Sequence, residues 1–347
     1  MAADLDLLVI AELNPDVLVA AGDIDVRFGQ VEQLVDNATI TLGSSGAITA
    51  AAAAAQGLRV AVCAVVGDDQ LGAWTTGMLE ATGVDVSCVI RRAGRPTGMS
   101  VVITRPDGDR AILTFSGTMA ELSKADVPHG RVRDAGHVHA SSFFLQQGLQ
   151  ADLPAVFGEA RAAGASTSLD PGWAPNGEWA SAKPVLGQLD YLMPNAAECA
   201  KLAAAAGWRH DDHHDDRPDG QQPGHGHLDD KKLQYIARSA AEVLQRHGPA
   251  VAVKLGAAGG LVVGPDSAVR VHGRAVEPVD TTGAGDCFNA GFIAGLLDGS
   301  SPAESLKRAV ACGAISVSGW GGTGRLASRE EALAAAAELT AERLPDE

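Results

Sequence analysis

The chain has 347 residues, 46% of them apolar, and a formal net charge of −16 with only 4% aromatic residues. That balance excludes a nucleic-acid surface, which needs basic patches and stacking rings, and points to a small-molecule partner. Cys63, Cys88, Cys199, Cys287 and Cys312 are widely spaced with no CxxC pair, which reads as reduced thiols in the cytoplasm; no apolar stretch reaches the roughly 20 residues that cross a bilayer, and no basic leader precedes the first apolar run, so neither membrane nor targeting signal is expected.

Leu5 to Glu12 is an apolar run of strand length that ends in Leu13-Asn14-Pro15-Asp16. Proline cannot continue a central strand, which places Asn14 and Asp16 on a loop at the strand's carboxyl end. Open α/β sheets bind ligands at that edge; an Asx-turn is the other reading. Residues 17 to 42 alternate loosely in polarity, with turn residues at Gly22-Asp23 and Gly29. Met99 to Thr104 and Arg110 to Phe115, joined by Pro106-Asp107-Gly108-Asp109, give a hairpin signal. Between these segments, Gly43-Ser44-Ser45-Gly46-Ala47-Ile48 opens an alanine-rich helix to Gln56, and a buried strand Val60 to Val66 leads into Gly67-Asp68-Asp69-Gln70-Leu71-Gly72.

From residue 136 strands and helices alternate: strand His137 to Ser141, helix Asp152 to Ala163, strand Ser166 to Leu169. Such alternation implies a parallel sheet with helices on both faces. Asp170 falls at a strand's carboxyl end, as a ligand residue or as a turn cap. Asn195-Ala196-Ala197-Glu198 opens a further helix with an amide and a carboxylate on one face, the pattern of a capping box and equally of a hard-oxygen Mg²⁺ site. Residues 207–230 hold His210, His213, His214, His225 and His227 among aspartates, glycines and prolines, a composition that cannot bury enough apolar surface to fold alone. It reads as a flexible insertion between two helices; a transition-metal site from His210, His213 and His214 is the alternative. Strand Ala250 to Leu255, the turn Gly256 to Gly260 and strand Leu261 to Gly264 follow, then helix Pro302 to Val317. Gly319-Trp320-Gly321-Gly322-Thr323-Gly324 spells GxGxxG but follows a helix, the wrong context for a dinucleotide fingerprint.

The most informative stretch is Asp280-Thr281-Thr282-Gly283-Ala284-Gly285-Asp286. Phe288, Phe292 and Leu296 recur at i, i+4 and i+8, one apolar stripe of a helix that ends near Gly299. Asp286 therefore sits in the first turn. Gly283 and Gly285 let the backbone come close to a ligand, and the N–H groups of the helix start form an anion site. A carboxylate there would repel a bound phosphate. The conflict resolves if Asp286 is the general base for a hydroxyl while the N–H groups of Gly283, Ala284, Gly285 and Asp286 hold a phosphoryl group in transit; the alternative is a glycine turn whose aspartate stabilises its own helix. Gly-Lys never occurs, so there is no Walker A sequence, and the protein-kinase HRD and DFG triplets are absent.

The heptad resembles the DTxGAGD signature of the ribokinase-like (PfkB) carbohydrate kinases, and the resemblance extends over nearly the whole chain. It implies one α/β domain over residues 1–347, a three-layer α/β/α sandwich with a mainly parallel central sheet. A small β-sheet lid from about 14–42 and 95–118 would close over the substrate and pair with another subunit's lid in a homodimer. The implied reaction is ATP-dependent transfer of the γ-phosphoryl group to a primary hydroxyl of a sugar, with Mg²⁺; Asp286 matches the base and Gly283 to Asp286 the anion hole. Asp16 matches the aspartate of an N-x-D motif that holds sugar hydroxyls, and Asn14, Gly43, Ser44, Thr97 and Gly98 fall near the substrate. Two positions depart from the family pattern: Ser44 replaces a glycine, and Ile48 stands where an asparagine often contacts the sugar, which weakens the case for ribose. Asn195 and Glu198 match an NxxE motif that organises Mg²⁺. Lys254, Gly256 and Gly259 match a segment that lines the ATP site, the 319–324 loop falls beside the adenine, and Asp280 with the Thr282 carbonyl would hold a monovalent cation such as K⁺. A nucleoside kinase of the same fold and a catalytically silent sugar-binding relative are the alternatives; retention of Asp286, both glycines and the NxxE pair argues against silence.

Overall fold

The computed structural model describes residues 5–20, 26–105, 110–209 and 230–345. The strands among them are β1 (Leu5–Ile10), β2 (Pro15–Ala20), β3 (Asn37–Leu42), β4 (Val60–Gly67), β5 (Val89–Arg92), β6 (Met99–Thr104), β7 (Arg110–Phe115), β8 (Ala135–Ala140), β9 (Ser166–Leu169), β10 (Tyr191–Leu192), β11 (Ala250–Lys254), β12 (Gly259–Val263), β13 (Ala268–His272) and β14 (Ala341–Leu344). One sheet has the order β14-β13-β12-β11-β10-β9-β8-β1-β4-β5, and a separate small sheet has the order β3-β2-β6-β7. From β5 across to β11 neighbouring strands are parallel, while β12, β13 and β14 extend one edge antiparallel.

Strand β1 shows how the layers arise. Leu8 and Ile10 join one core cluster, with residues of helices Leu153–Ala162, Ala196–Ala205 and Asp230–Gln245; Leu7 and Val9 join the other, with helices Ser45–Ala55, Ala284–Leu297 and Pro302–Ser316. Alternate side chains of a strand face opposite ways, so two apolar faces demand two helical layers. Strand β4 is buried along its whole length, as a parallel strand covered on both sides must be. Helix Ala284–Leu297 lies tight against helix Pro302–Ser316 because a Cβ on Gly291 would fall 2.8 Å from the Arg308 carbonyl oxygen, and one on Gly295 2.6 Å from Ser305 Oγ. Among the described residues no helix is long and apolar enough to cross a membrane.

The core also contains a polar row. Ser166 Oγ meets His137 Nδ1 at 2.6 Å, His137 Nε2 meets Ser168 Oγ at 2.7 Å, Ser168 Oγ meets His139 Nδ1 at 2.7 Å, and His139 Nε2 meets Ser141 Oγ at 2.9 Å. Both histidines are wholly buried, and burial pushes their pKa values down to about 3 and about 4, so they are neutral at pH 7.

The small sheet matches the two early segments, but its first strand begins earlier than expected. Pro15 opens β2, so Asp16 stands on a strand and not on a loop; a proline is tolerated as the first residue of a strand. The edge strands β13 and β14 were not foreseen. β14 buries only Leu344 of its four residues, too weak a pattern to register. The turn residues Gly22-Asp23 and Pro106 to Asp109 lie outside the described residues, as does the histidine-rich stretch from His210 onward through His227. On the small sheet β7 is exposed throughout, and Ile40, Ile112, Leu113 and Phe115 present apolar side chains to solvent.

Gly291→Val should lower the urea midpoint by the equivalent of roughly 1–3 kcal/mol, the usual penalty of overpacking, because the new side chain meets helix backbone that cannot swing aside. An unchanged midpoint would show that the two helices have slack.

Candidate active site

The signature heptad forms the turn into helix Ala284–Leu297. Gly283 is its N-cap at φ 76°, and a Cβ there would lie 2.6 Å from the Gly322 Cα, so both conformation and space call for glycine. Asp286 is the third helical residue. Ser45, opening helix Ser45–Ala55, donates its hydroxyl to Asp286 Oδ1 at 2.5 Å, and the Thr49 hydroxyl reaches the Asp286 carbonyl at 3.3 Å. A Cβ on Gly285 would sit 3.3 Å from Lys254 Cδ, so this second glycine leaves room for the lysine chain. The Ala284 N–H is turned back on the Thr281 carbonyl at 3.3 Å.

Lys254 ends β11 and pairs with Asp170, which follows β9, at 2.5 Å; Asn289 Nδ2 donates to the same Asp170 oxygen at 2.6 Å. Burial opposes the charge on Asp170, but the Lys254 ammonium and these hydrogen bonds outweigh it and hold the carboxyl below its ordinary range. Asp286 goes the other way. Burial, then the charge of Asp170, raises it well above the usual carboxylate value against the pull of Ser45 and Lys254. Lys254 keeps its proton: burial opposes this, but Asp170, Glu198 and Asp286 raise its pKa on balance. The result is a base with a raised affinity for protons beside a buried ion pair, at the sheet's carboxyl edge.

On the side of the small sheet, Asn14 donates to Asp16 Oδ1 at 2.9 Å, and a Cβ on Gly43 would fall 2.2 Å from that oxygen, so only glycine lets the Asp16 carboxylate lie against the backbone. Burial pushes Asp16 up to about 6 despite Asn14 and Arg110. Ser44 keeps the left-handed backbone a glycine would take, φ 70°, and its hydroxyl bonds the Glu12 carbonyl at 2.5 Å and caps the helix at Ala47 N, 3.1 Å. Those bonds offset the strain. Thr97 is committed to the neighbouring turn: its hydroxyl donates to Asp69 Oδ1 at 2.6 Å and accepts from Gly67 N–H at 2.9 Å. Ile48 is buried and packs where a Cβ on Gly283 or Gly322 would be, so it buttresses the heptad turn from below.

Asn195 and Glu198 form a reciprocal capping box, Asn195 Oδ1 accepting from Glu198 N at 2.9 Å and Glu198 Oε2 from Asn195 N at 2.8 Å. Glu198 is nonetheless pushed up to about 7, by burial and then by the charge of Asp170. Such uncompensated negative charge among hard oxygens fits a divalent cation. Among the described residues no three acidic, histidine or cysteine side chains could cage a metal, so the fit is to Mg²⁺ that keeps waters and substrate phosphate oxygens. Gly259, at φ 98°, is demanded by the hairpin itself, since its Cβ would meet the Val271 carbonyl at 2.2 Å; Gly256, at φ 59°, faces open space. Both Asp280 carboxylate oxygens are engaged, Oδ1 by Thr282 N–H and hydroxyl at 2.9 and 2.8 Å, Oδ2 by Gly321 N–H at 2.8 Å, which fastens the heptad to the 319–324 loop. Sequence reasoning overlooked Glu12, Ser45 and Asn289. Only Glu12 left a trace, as a lone acid closing a buried strand.

A profile described as pfkB family carbohydrate kinase matches residues 5–328. The chain is 29% identical over 310 residues to the 2-dehydro-3-deoxygluconokinase of Bacillus subtilis (84% of this chain, 86% of that protein). It is 30% identical over 276 residues to the ATP-dependent ribose-1-phosphate kinase of Halopiger xanaduensis (79% of each). The structure of Arabidopsis thaliana ribokinase complexed with ribose and ATP superposes with a TM-score of 0.75 at 23% identity, covering 97% of this chain and 99% of that one. The fold is ribokinase-like.

Glu198→Gln preserves the capping box, since glutamine serves at that position, but removes a titration. A carboxyl raised from 4.5 to about 7 on folding stabilises the fold below its unfolded value and loses that contribution as pH climbs through 7. The stability of the parent chain relative to the variant should therefore fall between pH 4.5 and 7, by at most roughly 3 kcal/mol, and level off above. Urea midpoints of the two proteins across that range test it; parallel curves would contradict it.

Proposed function

This chain belongs to the pfkB family of carbohydrate kinases, and on that footing we propose that it transfers the γ-phosphoryl group of ATP to a primary hydroxyl of a sugar, with Asp286 as general base. The observation that carries this is the setting of Asp286, at a helix start with one oxygen held by Ser45 and the Lys254–Asp170 pair behind it. That the protein is a phosphotransferase with an alcohol acceptor follows from the family and from its kinase relatives. The relatives act on different acceptors by name, so the sugar is left to experiment.

In this reading Ser45 fixes Oδ1 and leaves Oδ2 to take the hydroxyl proton. The N–H groups of Gly283, Gly285 and Asp286 oppose the charge that gathers on the phosphoryl oxygens, where positioning and electrostatics supply most of the catalysis, and that of Ala284 joins them on leaving the Thr281 carbonyl. Asn14, Asp16, Gly43 and Ser44 orient the acceptor, with Thr97 shaping the loop beside them. Lys254, Gly256, Gly259 and Asn195 border the nucleotide. Asn195 and Glu198 hold Mg²⁺ through water; the ion supplies charge neutralisation of the phosphates when bound. Asp280 and the Thr282 carbonyl are the candidates for K⁺, and replacing K⁺ by choline in the assay tests them. The exposed apolar side chains of the small sheet support its role as a lid that pairs two subunits, because an uncovered edge with this composition invites a partner strand.

ADP release with ATP and Mg²⁺ across pentoses, hexoses, keto sugar acids and nucleosides should single out one acceptor class. Asp286→Ala should lower that turnover by about 10²–10⁴-fold with ATP affinity nearly unchanged; full activity in the variant would refute the assignment, and silence of the parent chain with ATP bound would favour a binding relative. Leu113→Asp should convert a sedimenting dimer to monomer, whereas a dimer that survives it lies on another surface.

A further inference from the structure

A second carboxyl, one that phosphoryl transfer does not itself require, is wired to Asp286. Glu12 follows β1 at the sheet's carboxyl edge and is 3% exposed. Its Oε1 accepts from Ser45 N–H at 3.2 Å and from the Ser142 hydroxyl at 2.9 Å, and its carbonyl takes the Ser44 hydroxyl at 2.5 Å. Its Oε2 is buried and has no hydrogen-bond partner among the described residues. Glu12 thus holds Ser44 and Ser45 from beneath, and the Ser45 side chain holds Asp286 Oδ1.

We propose that Glu12 is a positioning residue of the phosphotransfer site, acting on Asp286 through Ser45. The proposal rests on the reading of Asp286 as the base. A simple pin for the loop needs one accepting oxygen; a carboxylate brings a second, and burying that one unpaired costs stability. What the charge adds is electrostatic. Asp286 faces Glu12 from β1, Asp170 from β9 and Lys254 from β11, and of these Glu12 and Asp170 favour its protonated form while Lys254 opposes it. Burial places Glu12 itself at about 7, so its charge is switched on over the range in which a neutral-pH kinase works, and each increment makes Asp286 a stronger proton acceptor. Ser45 meanwhile keeps the carboxylate oriented.

The test is a carboxyl-carbon NMR titration of the full chain carrying ¹³C in its aspartate and glutamate carboxyls, with the Asp286 signal assigned by its loss in Asp286→Asn. Glu12→Gln retains the loop hydrogen bonds and should lower the Asp286 midpoint by about half a pH unit or more; Ser45→Ala, which deletes a bond to the charged form, should raise it. With the acceptor that the panel identifies, Glu12→Gln should also shift the acid limb of kcat to lower pH while KM for ATP stays the same. Should Glu12→Gln not fold, Ser142→Ala takes its place, since losing that bond leaves Glu12 less charged and lowers the Asp286 midpoint likewise. An Asp286 midpoint that neither Glu12→Gln nor Ser142→Ala moves would overturn the proposal and leave Glu12 a loop pin. The titration needs no turnover, so it fails separately from the Asp286→Ala assay.

Discussion

At the carboxyl edge of the sheet the Lys254 ammonium lies in the field of the carboxyl groups of Asp170, Glu198 and Asp286. Without that cation Asp170 would be a buried carboxylate with no counter-charge, at a cost of several kcal/mol. The lysine settles the contest unevenly. Asp170, in direct contact, stays ionised; Asp286 and Glu198, at a distance, are left with raised proton affinities. Two chemically identical groups, Asp170 and Asp286, thereby acquire opposite proton affinities, one lowered and the other raised.

The surrounding architecture can be read as what it takes to bring this cluster together. Glu12, Ser141, Asp170, Asn195 and Lys254 each follow or end a strand of the parallel sheet, and Asp286 and Asn289 come from one helix laid across it. Glycine does the remaining work at two positions. Gly285 clears a channel for the lysine chain, and Gly43 lets Asp16 rest on the backbone. Strand β2 of the small sheet grows directly out of the loop that follows β1, so the small sheet and the carboxyl edge of the large one are joined by a few residues of chain.

Much of this was legible in the sequence because the signals were long. β9, β6 and β7 were read with their observed ends, and the helix after the heptad was placed to within a few residues, since its aromatic stripe has an unmistakable period. Short elements escaped: β10 has two residues and β14 one buried side chain. Site residues divided along a similar line. Asp286, Asn195, Glu198 and Asp16 stand in spaced patterns, whereas Ser45, Asn289 and Glu12 take their meaning from partners far away in the chain, as in the contact between Ser45 and Asp286, 241 positions apart. Lys254 was assigned to the nucleotide by its neighbours in sequence; its ion pair with Asp170 depends on strand order, which spacing does not encode.

The row of serines and histidines in the core obeys a counting rule. Each hydroxyl carries one proton and each neutral imidazole one N–H, so Ser168, lying between the two rings, can donate to at most one of them. The combination of His137 protonated on Nδ1 with His139 protonated on Nε2 is therefore excluded, since it would need two protons from one hydroxyl. A proton on His139 Nε2 would commit the Ser168 proton to His139 Nδ1 and so oblige His137 to carry its own proton on Nε2. The tautomer of one buried ring thus constrains that of the other through a single serine proton.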